Sequence, residues 1–132
     1  MDTQIETIIA SGPVIIENGK VLLDKEMKST GITPWFFPGG RSNLNESPED
    51  TCRREVKEEL DIEIKILKTL RTIEKVMPDN KKSVLHHFLA ERIGEITIGD
   101  DVVEFGWHDI NNLPSDCSWN VYEIINDIKN MT

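Results

Sequence analysis

The sequence predicts one α/β domain of the α+β type, in which helices flank a mixed β-sheet. Segments rich in β-branched residues are interleaved with two amphipathic helical segments, without the regular strand–helix–strand repeat of a parallel sheet. The 132 residues contain no internal repeat and no linker rich in proline, glycine or serine. A chain of this length buries enough surface to fold as one unit, so we expect a single domain over residues 1–132.

A β-hairpin is the first predicted element, over residues 7–25. A β-branched run ends at Asn18-Gly19, the strongest short hairpin signal, and a second apolar run follows it directly. We expect a loop over residues 26–34. A short strand is then expected at Phe36-Phe37, because Pro38-Gly39-Gly40 stops the run.

Residues 47–60 are the clearest predicted helix. Ser47 is a favourable N-cap, and Pro48 suits the first helical position, where its missing N–H has no partner to lose. An apolar residue recurs at every fourth position, which gives the helix one narrow face for the core. These apolar residues are Cys52, Val56 and Leu60.

The second half of the chain predicts three strands and a terminal helix. The pattern predicts strands over residues 62–75 and 83–92, joined by a turn at Pro78-Asp79-Asn80. A shorter strand is predicted over 102–108, and a helix from Trp119 to Met131. The apolar face of that helix consists of Val121, Ile124, Ile125 and Ile128.

The composition excludes some classes of function. The formal net charge of −9 argues against a nucleic-acid polymer as partner, since such binding depends on Lys and Arg neutralising phosphates. No apolar run approaches the roughly 18 residues of a membrane-spanning helix, so no membrane partner is expected. The first residues are acidic and polar, unlike a secretion signal, and two cysteines are too few for a disulfide framework. We therefore expect a cytoplasmic protein with reduced thiols.

Three glutamates on the first helix are the main candidates for chemistry. Glu55, Glu58 and Glu59 are spaced i, i+3 and i+4, so they project from one side of the helix beside its apolar stripe. Like charges at this spacing repel one another, and a divalent cation such as Mg²⁺, which prefers carboxylate and phosphate oxygens, reverses that interaction. The alternative is an ordinary solvated acidic face, which is common in a chain with 30% charged residues.

The surroundings of these glutamates resemble the Nudix box. Gly40 is followed after five residues by Glu46, and after seven more by the run Arg54-Glu55-Val56-Lys57-Glu58-Glu59-Leu60-Asp61-Ile62. Eight of the nine specified positions of the box match here, across 23 residues. The preceding Trp35-Phe36-Phe37-Pro38-Gly39 is also similar to the lead-in that is usual in this family.

This resemblance to MutT-like Nudix hydrolases implies a fold, a metal and an activity. The fold would be an α/β/α sandwich around a mixed sheet. Glu55, Glu58 and Glu59, helped by the carbonyl of Gly40, would hold Mg²⁺, with Mn²⁺ as a substitute. Glu46 and Arg54 would be structural, with Glu46 folding back onto Arg54. Any of the three helix glutamates could be the general base.

The implied reaction is cleavage of a phosphoanhydride bond in a nucleoside diphosphate linked to another group. A nucleoside triphosphate pyrophosphohydrolase of the housecleaning type is favoured, since the chain is short. The alternatives are an ADP-ribose or nucleotide-sugar pyrophosphatase, and a non-catalytic module that senses nucleotides. The partner is then a small nucleotide-like diphosphate, and a homodimer is possible because relatives often form one.

The sequence departs from the family pattern at Asp61, where the family has glycine. That position follows the helix and is expected to take a positive φ, which aspartate tolerates at some cost. Glu104, shortly before Trp107, resembles a glutamate that in relatives adds a metal ligand or acts as base. The alternative for Glu104 is an exposed strand residue.

Several further residues are candidates for substrate contact or for ordinary packing. Arg41 and Lys25 could meet substrate phosphate, or be surface cations. Trp35 could stack on a base, or pack in the core. His86 and His87 are neighbours on a predicted strand and must face opposite sides of it, so we expect one in the core and one exposed.

Overall fold

The computed structural model describes residues 6–131, and within them the chain forms eight strands and two helices. The polar first residues, on which the expectation of no secretion signal rests, lie outside the described part, as does the last residue of the expected domain. No helix within residues 6–131 has both the length and the apolar character to cross a membrane. In chain order the elements are β1 (Glu6–Glu17), β2 (Lys20–Lys28), β3 (Gly31–Ile32), β4 (Gly40–Arg41), α1 (Pro48–Leu60), β5 (Glu63–Thr69), β6 (Ile73–Val76), β7 (Lys81–Ile93), β8 (Val102–Asp109) and α2 (Trp119–Lys129).

The sheet is mixed, as the sequence predicts. β1 and β7 run parallel over ten residue pairs, from Glu6↔Lys81 to Ile15↔Ala90. The other pairings are antiparallel: β2 with β1, β3 and β8, β4 with β1, and β5 and β6 with β7. The central pair β1–β7 therefore carries the rest of the sheet on its two sides.

The predicted hairpin between β1 and β2 is confirmed. Its two-residue turn has φ of 53° at Asn18 and 75° at Gly19. A type I′ turn needs positive φ at both central residues, and its twist matches that of the flanking strands. The turn therefore fixes the pairing of Glu17 with Lys20 and of Ile16 with Val21.

One helix covers each face of the sheet, which confirms the α/β/α sandwich. Val14 packs in a core cluster with α2, and the next residue of β1, Ile15, packs in a second cluster with α1, because successive side chains of a strand point to opposite faces. The helix residues buried in the two clusters are Cys52, Val56 and Leu60 of α1 and Val121, Ile124 and Ile125 of α2.

The loop predicted over residues 26–34 is wrong. β2 continues to Lys28, and Gly31–Ile32 folds back onto it as β3, with Met27 opposite Ile32. The end of this strand was missed because its residues are charged. The side chain of Glu26 is buried, but it lines a cleft and does not pack in the apolar core.

Two other predicted strands also differ from the structure. Residues 62–75 form two strands, β5 and β6, because the chain turns inward between them and buries Leu70, whose N–H donates to the carbonyl of His87. Residues 35–36 form single bridges with Cys117 and Asp24 instead of a strand. The terminal helix ends at Lys129, two residues earlier than predicted, within the usual uncertainty of helix ends.

Candidate active site

The loop that contains Pro38 and Gly39, called the glycine loop below, lies against β1 beside the site. A Cβ atom on Gly12 would lie 2.0 Å from the carbonyl oxygen of Pro38, and one on Gly39 would lie 2.4 Å from that of Ser11. Gly39 also has φ of 145°, a conformation that residues with a side chain rarely adopt. Backbone therefore packs on backbone here, and the N–H of Gly39 reaches Oε1 of Glu59 at 2.9 Å.

The three helix glutamates face one cleft of about 600 Å³. Their side chains differ in burial: Glu59 is 7% exposed, whereas the side chain of Glu55 is 17% exposed and that of Glu58 is 59% exposed. Burial raises the pKa of Glu55, because the charged form loses hydration, although its ion pair with Arg54 opposes this. The structure thus brings all three predicted carboxylates to the same cavity.

Arg54 ties the loop before α1 to the helix, in the arrangement that the resemblance implies. Its Nε and Nη2 donate to the two oxygens of Glu46 at 2.8 and 2.9 Å, a bidentate pair. Its Nη1 donates to Oε1 of Glu55 at 2.7 Å and lies 3.4 Å from Glu58, and its Nη2 also reaches the carbonyl of Arg41 at 3.0 Å. The hydrogen bonds from Arg54 lower the pKa of Glu46 to about 2.

Thr51 is a further part of this loop anchor, which sequence reasoning missed. Its side chain is fully buried, and its hydroxyl donates to Oε1 of Glu46 at 2.7 Å. The same oxygen accepts the N–H of Asn43 at 3.0 Å, while Asn45 takes φ of 65° to turn the loop. A threonine at the fourth helical position gave no signal in the sequence beyond its place in the motif.

Asp61 ends α1 in the left-handed conformation expected of the missing glycine. Its φ is 56°, and its N–H donates to the carbonyl of Lys57 at 3.0 Å, which closes the helix. Its carboxylate lies 3.2 Å from the ammonium of Lys57, so a local ion pair accompanies the strained backbone.

Two buried carboxylates of β2 belong to the surroundings of Glu59, and sequence reasoning missed both. Asp24 is fully buried, Glu26 is 8% exposed, and Glu26 lines the cleft beside Glu59. Burial, followed by the charge of Glu26, raises the pKa of Asp24 to about 8. Burial, followed by the charges of Asp24 and Glu26, also raises the pKa of Glu59 well above its usual range. Alternation with Leu22, a core residue of the same strand, was the signal that could have placed both acids on a buried face.

The lining of the cleft also includes apolar residues and a fixed amide. Nδ1 of His87 lies 2.9 Å from the carbonyl of Arg71, which can only accept, so Nδ1 carries the hydrogen. Nε2 of His87 then accepts from Nδ2 of Asn120 at 3.1 Å, and Oδ1 of Asn120 accepts from the hydroxyl of Ser118 at 2.6 Å. The amide of Asn120 therefore has one orientation at the cleft wall. Apolar residues in the same lining include Ile8, Ala10, Phe37 and Leu85.

Of the two neighbouring histidines of β7, one is buried as predicted, but the other is not exposed, and both line the cleft. His87 is 2% exposed, while His86 is half-buried. Burial lowers the pKa of His87, because the charged imidazolium would lose its hydration.

Glu104, Lys25 and Trp35 lie outside the cleft. Lys25 is on the α2 side of the sheet, 2.9 Å from a carboxylate oxygen of Asp116 and 5.0 Å from the ring centroid of Trp35, which is itself buried. Glu104 pairs with Lys25 across β2 and β8 and is exposed. Strand alternation puts Lys25 and Glu104 on the face away from Glu59, and Trp35 packs in the core cluster with α2. None of the three lines the cleft, so the geometry does not support a catalytic role for Glu104 or substrate contact by the other two. Of the predicted substrate contacts, Arg41 does line the cleft.

The carboxylates in and next to the cleft offer the oxygen ligands that a divalent cation prefers. Both oxygens of Asp24 are buried without a hydrogen-bond partner, and a Cβ atom on Gly40 would lie 2.4 Å from Oε2 of Glu55, so bare backbone lies against that carboxylate. Within residues 6–131 no three Asp, Glu, His or Cys side chains are already arranged to hold a metal ion. The carboxylates would therefore have to turn when a cation binds, as the contact of Glu55 with Arg54 also indicates.

Sequence comparison connects this geometry to proteins of known activity. A family model described as NUDIX domain matches residues 8–127. The 8-oxo-dGTP diphosphatase of Proteus vulgaris is 30% identical over 90 residues, which cover 67% of this chain and 80% of that protein. The ADP-ribose pyrophosphatase of Methanocaldococcus jannaschii is 31% identical over 108 residues, which cover 80% of this chain and 64% of that protein.

Solved structures share the fold. A MutT NUDIX hydrolase from Burkholderia pseudomallei superposes with a TM-score of 0.83 at 22% identity, covering 93% of this chain and 98% of the other. A MutT protein from Methanosarcina mazei gives 0.84 at 20% identity, covering 99% of this chain and all of the other. At these identities the likeness establishes the α/β/α sandwich and leaves the substrate open.

Proposed function

The chain belongs to the NUDIX domain family, and from that membership we propose that it is a Mg²⁺-dependent pyrophosphohydrolase. Its substrate is a nucleoside diphosphate linked to another group, and nucleoside triphosphates of the housecleaning type are favoured. The similarity to an 8-oxo-dGTP diphosphatase and to an oxidized purine nucleoside triphosphate hydrolase of Danio rerio supports this choice.

The observation that carries the proposal is the mixed lining of the cleft. Glu55, Glu58 and Glu59 supply carboxylates, and the same cleft is lined by apolar residues and by Asn120. The volume of about 600 Å³ lies in the range of small-molecule sites. The carboxylates therefore suit phosphates, through a cation, and the apolar lining with its amide suits a flat heterocycle.

Glu55, Glu58 and Glu59, with the carbonyl of Gly40, would hold Mg²⁺, and Mn²⁺ could replace it. A bound divalent cation neutralises phosphate oxygens and makes water a better nucleophile. The chain itself orients the carboxylates: Arg54 holds Glu55, and the N–H of Gly39 holds one oxygen of Glu59. One of the three glutamates accepts the proton of the attacking water.

The alternative is an ADP-ribose or nucleotide-sugar pyrophosphatase. Its support is the similarity to the Methanocaldococcus jannaschii protein, together with Asp100 and Asp101, which also line the cleft. Added negative charge disfavours a triphosphate relative to a less charged diphosphate diester. A non-catalytic sensing module is the third possibility, and it would bind nucleotide with metal but release no product.

The proposal includes the setting of the enzyme. We place it in the cytoplasm, with a small molecule and not a nucleic-acid polymer as its partner, and we expect that it can form a homodimer. The formal charge of −9 supports the exclusion of polymers, because the surface would repel them.

The test is turnover of a substrate panel with Mg²⁺ and with EDTA. The panel contains nucleoside triphosphates, ADP-ribose, dinucleoside polyphosphates and NADH, and chromatography identifies the products. Glu58→Gln removes one ligand charge at a largely exposed position, and Glu49→Gln makes the same change on the same helix away from the cleft. We expect Mg²⁺-dependent cleavage that Glu58→Gln abolishes and Glu49→Gln keeps. Turnover that survives both EDTA and Glu58→Gln contradicts the mechanism, and metal binding without turnover of any compound favours the sensing module.

A further inference from the structure

Asp24 is the most unusual polar group in the described residues. Its side chain is fully buried in the middle of β2, and neither carboxylate oxygen has a hydrogen-bond partner. Buried polar groups in proteins are almost always hydrogen-bonded, and an exception points to a bound ion, a water or a function. Burial without a partner is especially unfavourable for a charged carboxylate.

The charged groups around Asp24 make the burial of its charge still less favourable. Glu26 lies two residues along the same strand and therefore on the same face, and Glu59 of α1 faces it; both are more than nine-tenths buried. Burial is the main reason that the pKa values of both Asp24 and Glu59 are raised; the charge of Glu26 adds to the rise at Asp24, and the charges of Asp24 and Glu26 add to it at Glu59. The cation that the described residues place against this group is Lys28, 3.8 Å from Glu26 and with 54% of its side chain exposed. A pair of that length and exposure offsets little of the repulsion.

We propose that Asp24, Glu26 and Glu59 form a binding site for an additional divalent cation on the sheet side of the cleft. It extends the proposed function, since it shares Glu59 with the metal site assigned there, and it adds two ligands from β2. A small divalent ion with oxygen ligands, such as Mg²⁺ or Mn²⁺, supplies the charge that this group lacks.

The side chains of this site can move onto an ion with little loss. The three carboxylates do not yet surround one point. Asp24 has no hydrogen bond to break, and Glu26 has a side-chain ion pair of 3.8 Å, while its backbone N–H is fixed by Thr33 at 2.9 Å. Glu55, by contrast, must first leave a 2.7 Å contact with Arg54. Glu59, which both sites share, keeps its hydrogen bond from the N–H of Gly39 through Oε1, so the two β2 carboxylates are the ligands that can turn at least cost.

The first test counts Mn²⁺ ions bound to the full chain without nucleotide, by electron paramagnetic resonance of free Mn²⁺. The variants are Asp24→Asn and Glu26→Gln. Asp101→Asn is the matched control, because it removes the same charge from an exposed residue of the same cleft. We expect each β2 variant to bind one Mn²⁺ fewer per chain than the wild type, and the control to bind the wild-type number.

The second test is the rise in melting temperature when Mn²⁺ replaces EDTA, since an ion that binds only the folded chain stabilises it. The rise should be smaller in both β2 variants than in Asp101→Asn. If Asp24→Asn does not fold, Glu26→Gln at the edge of the cleft decides the question. Equal ion counts and equal rises in all proteins overturn this inference alone. A wild type that binds no Mn²⁺ overturns it together with the metal dependence of the proposed function.

Discussion

Replacing Gly39 by alanine tests how closely the glycine loop must lie against β1. The new Cβ atom would be 2.4 Å from the carbonyl oxygen of Ser11 and 2.7 Å from Cα of Gly12, distances that no relaxed structure keeps. The backbone at this residue also has φ of 145°, which alanine avoids. The loop must then move away from β1, and it takes with it the N–H that holds Glu59.

Two contributions make up the expected loss of stability. A side chain in this region of φ costs about 1–3 kcal/mol. Relief of an overlap in a packed interior costs about a further 1–3 kcal/mol. Their sum is about 2–6 kcal/mol. This is a large part of the free energy of unfolding of a typical domain, which is roughly 5–15 kcal/mol. We also expect kcat to fall at least about tenfold, which corresponds to a misalignment worth about 1.4 kcal/mol in the transition state.

Gly31→Ala is the control that separates the two contributions. Gly31 has φ of 117°, yet a Cβ atom there would meet nothing within 4 Å. Its substitution should cost only the conformational part, about 1–3 kcal/mol, and leave kcat unchanged. Urea unfolding gives the free energies and the substrate panel gives the rates. If Gly39→Ala loses no more stability than Gly31→Ala and keeps its activity, the close approach of loop and strand has no role in the site.

Three further predictions concern other parts of the site and its support. Arg54→Lys cannot reproduce the bidentate pair and the contact with Glu55, so kcat should fall about 10- to 100-fold, as measured at saturating substrate; an unchanged kcat would leave Arg54 an idle surface cation. Asp61→Gly relieves a positive φ and should stabilise the chain by about 1 kcal/mol in urea unfolding, with kcat unchanged; a loss of stability would mean that the ion pair with Lys57 matters more. Because burial lowers the pKa of His87, the unfolded chain takes this proton first as pH falls below about 6.5, and the wild type loses stability in that range. The free energy of unfolding of the wild type should therefore exceed that of His87→Gln by less at pH 5 than at pH 7. A constant difference would contradict a neutral imidazole that makes two hydrogen bonds.

Local sequence rules predicted the helix side of the site. The spacing of Glu55, Glu58 and Glu59 fixes their common direction, because 3.6 residues complete each turn whatever the rest of the chain does. The pairing of Arg54 with Glu46 and the left-handed end at Asp61 belong to the same short segment. The structure shows each of them where the resemblance put it.

The part of the site that lies on the sheet could not be predicted in the same way, because strand pairing joins residues that are far apart in the sequence. Alternation with Leu22 puts Asp24 and Glu26 on one face of β2, but how that face lies in the sheet follows from the neighbours β1 and β8; Asp24 and Glu26 were therefore missed, and Lys25 was left open between substrate contact and a surface cation. The register between β2 and β8 shifts between Lys25 and Glu26, which leaves Glu104 on the far face. Asn120 had no signal of its own, since it depends on His87, 33 residues earlier in the chain.

The parallel pairing of β1 with β7 also governs how the protein is made. Each partner in that pairing is 75 positions from the other, as from Glu6 to Lys81 and from Ile15 to Ala90. Bringing such distant segments together costs chain entropy before any contact between them can stabilise the structure. Proteins built on pairings of this kind therefore fold slowly. A nascent chain has its hairpin and its glutamate helix available long before β7 leaves the ribosome. Until then the edge of β1 that pairs with β7 has no partner strand and His87 is absent, so the part of the cleft wall formed by His87 and Asn120 is completed last.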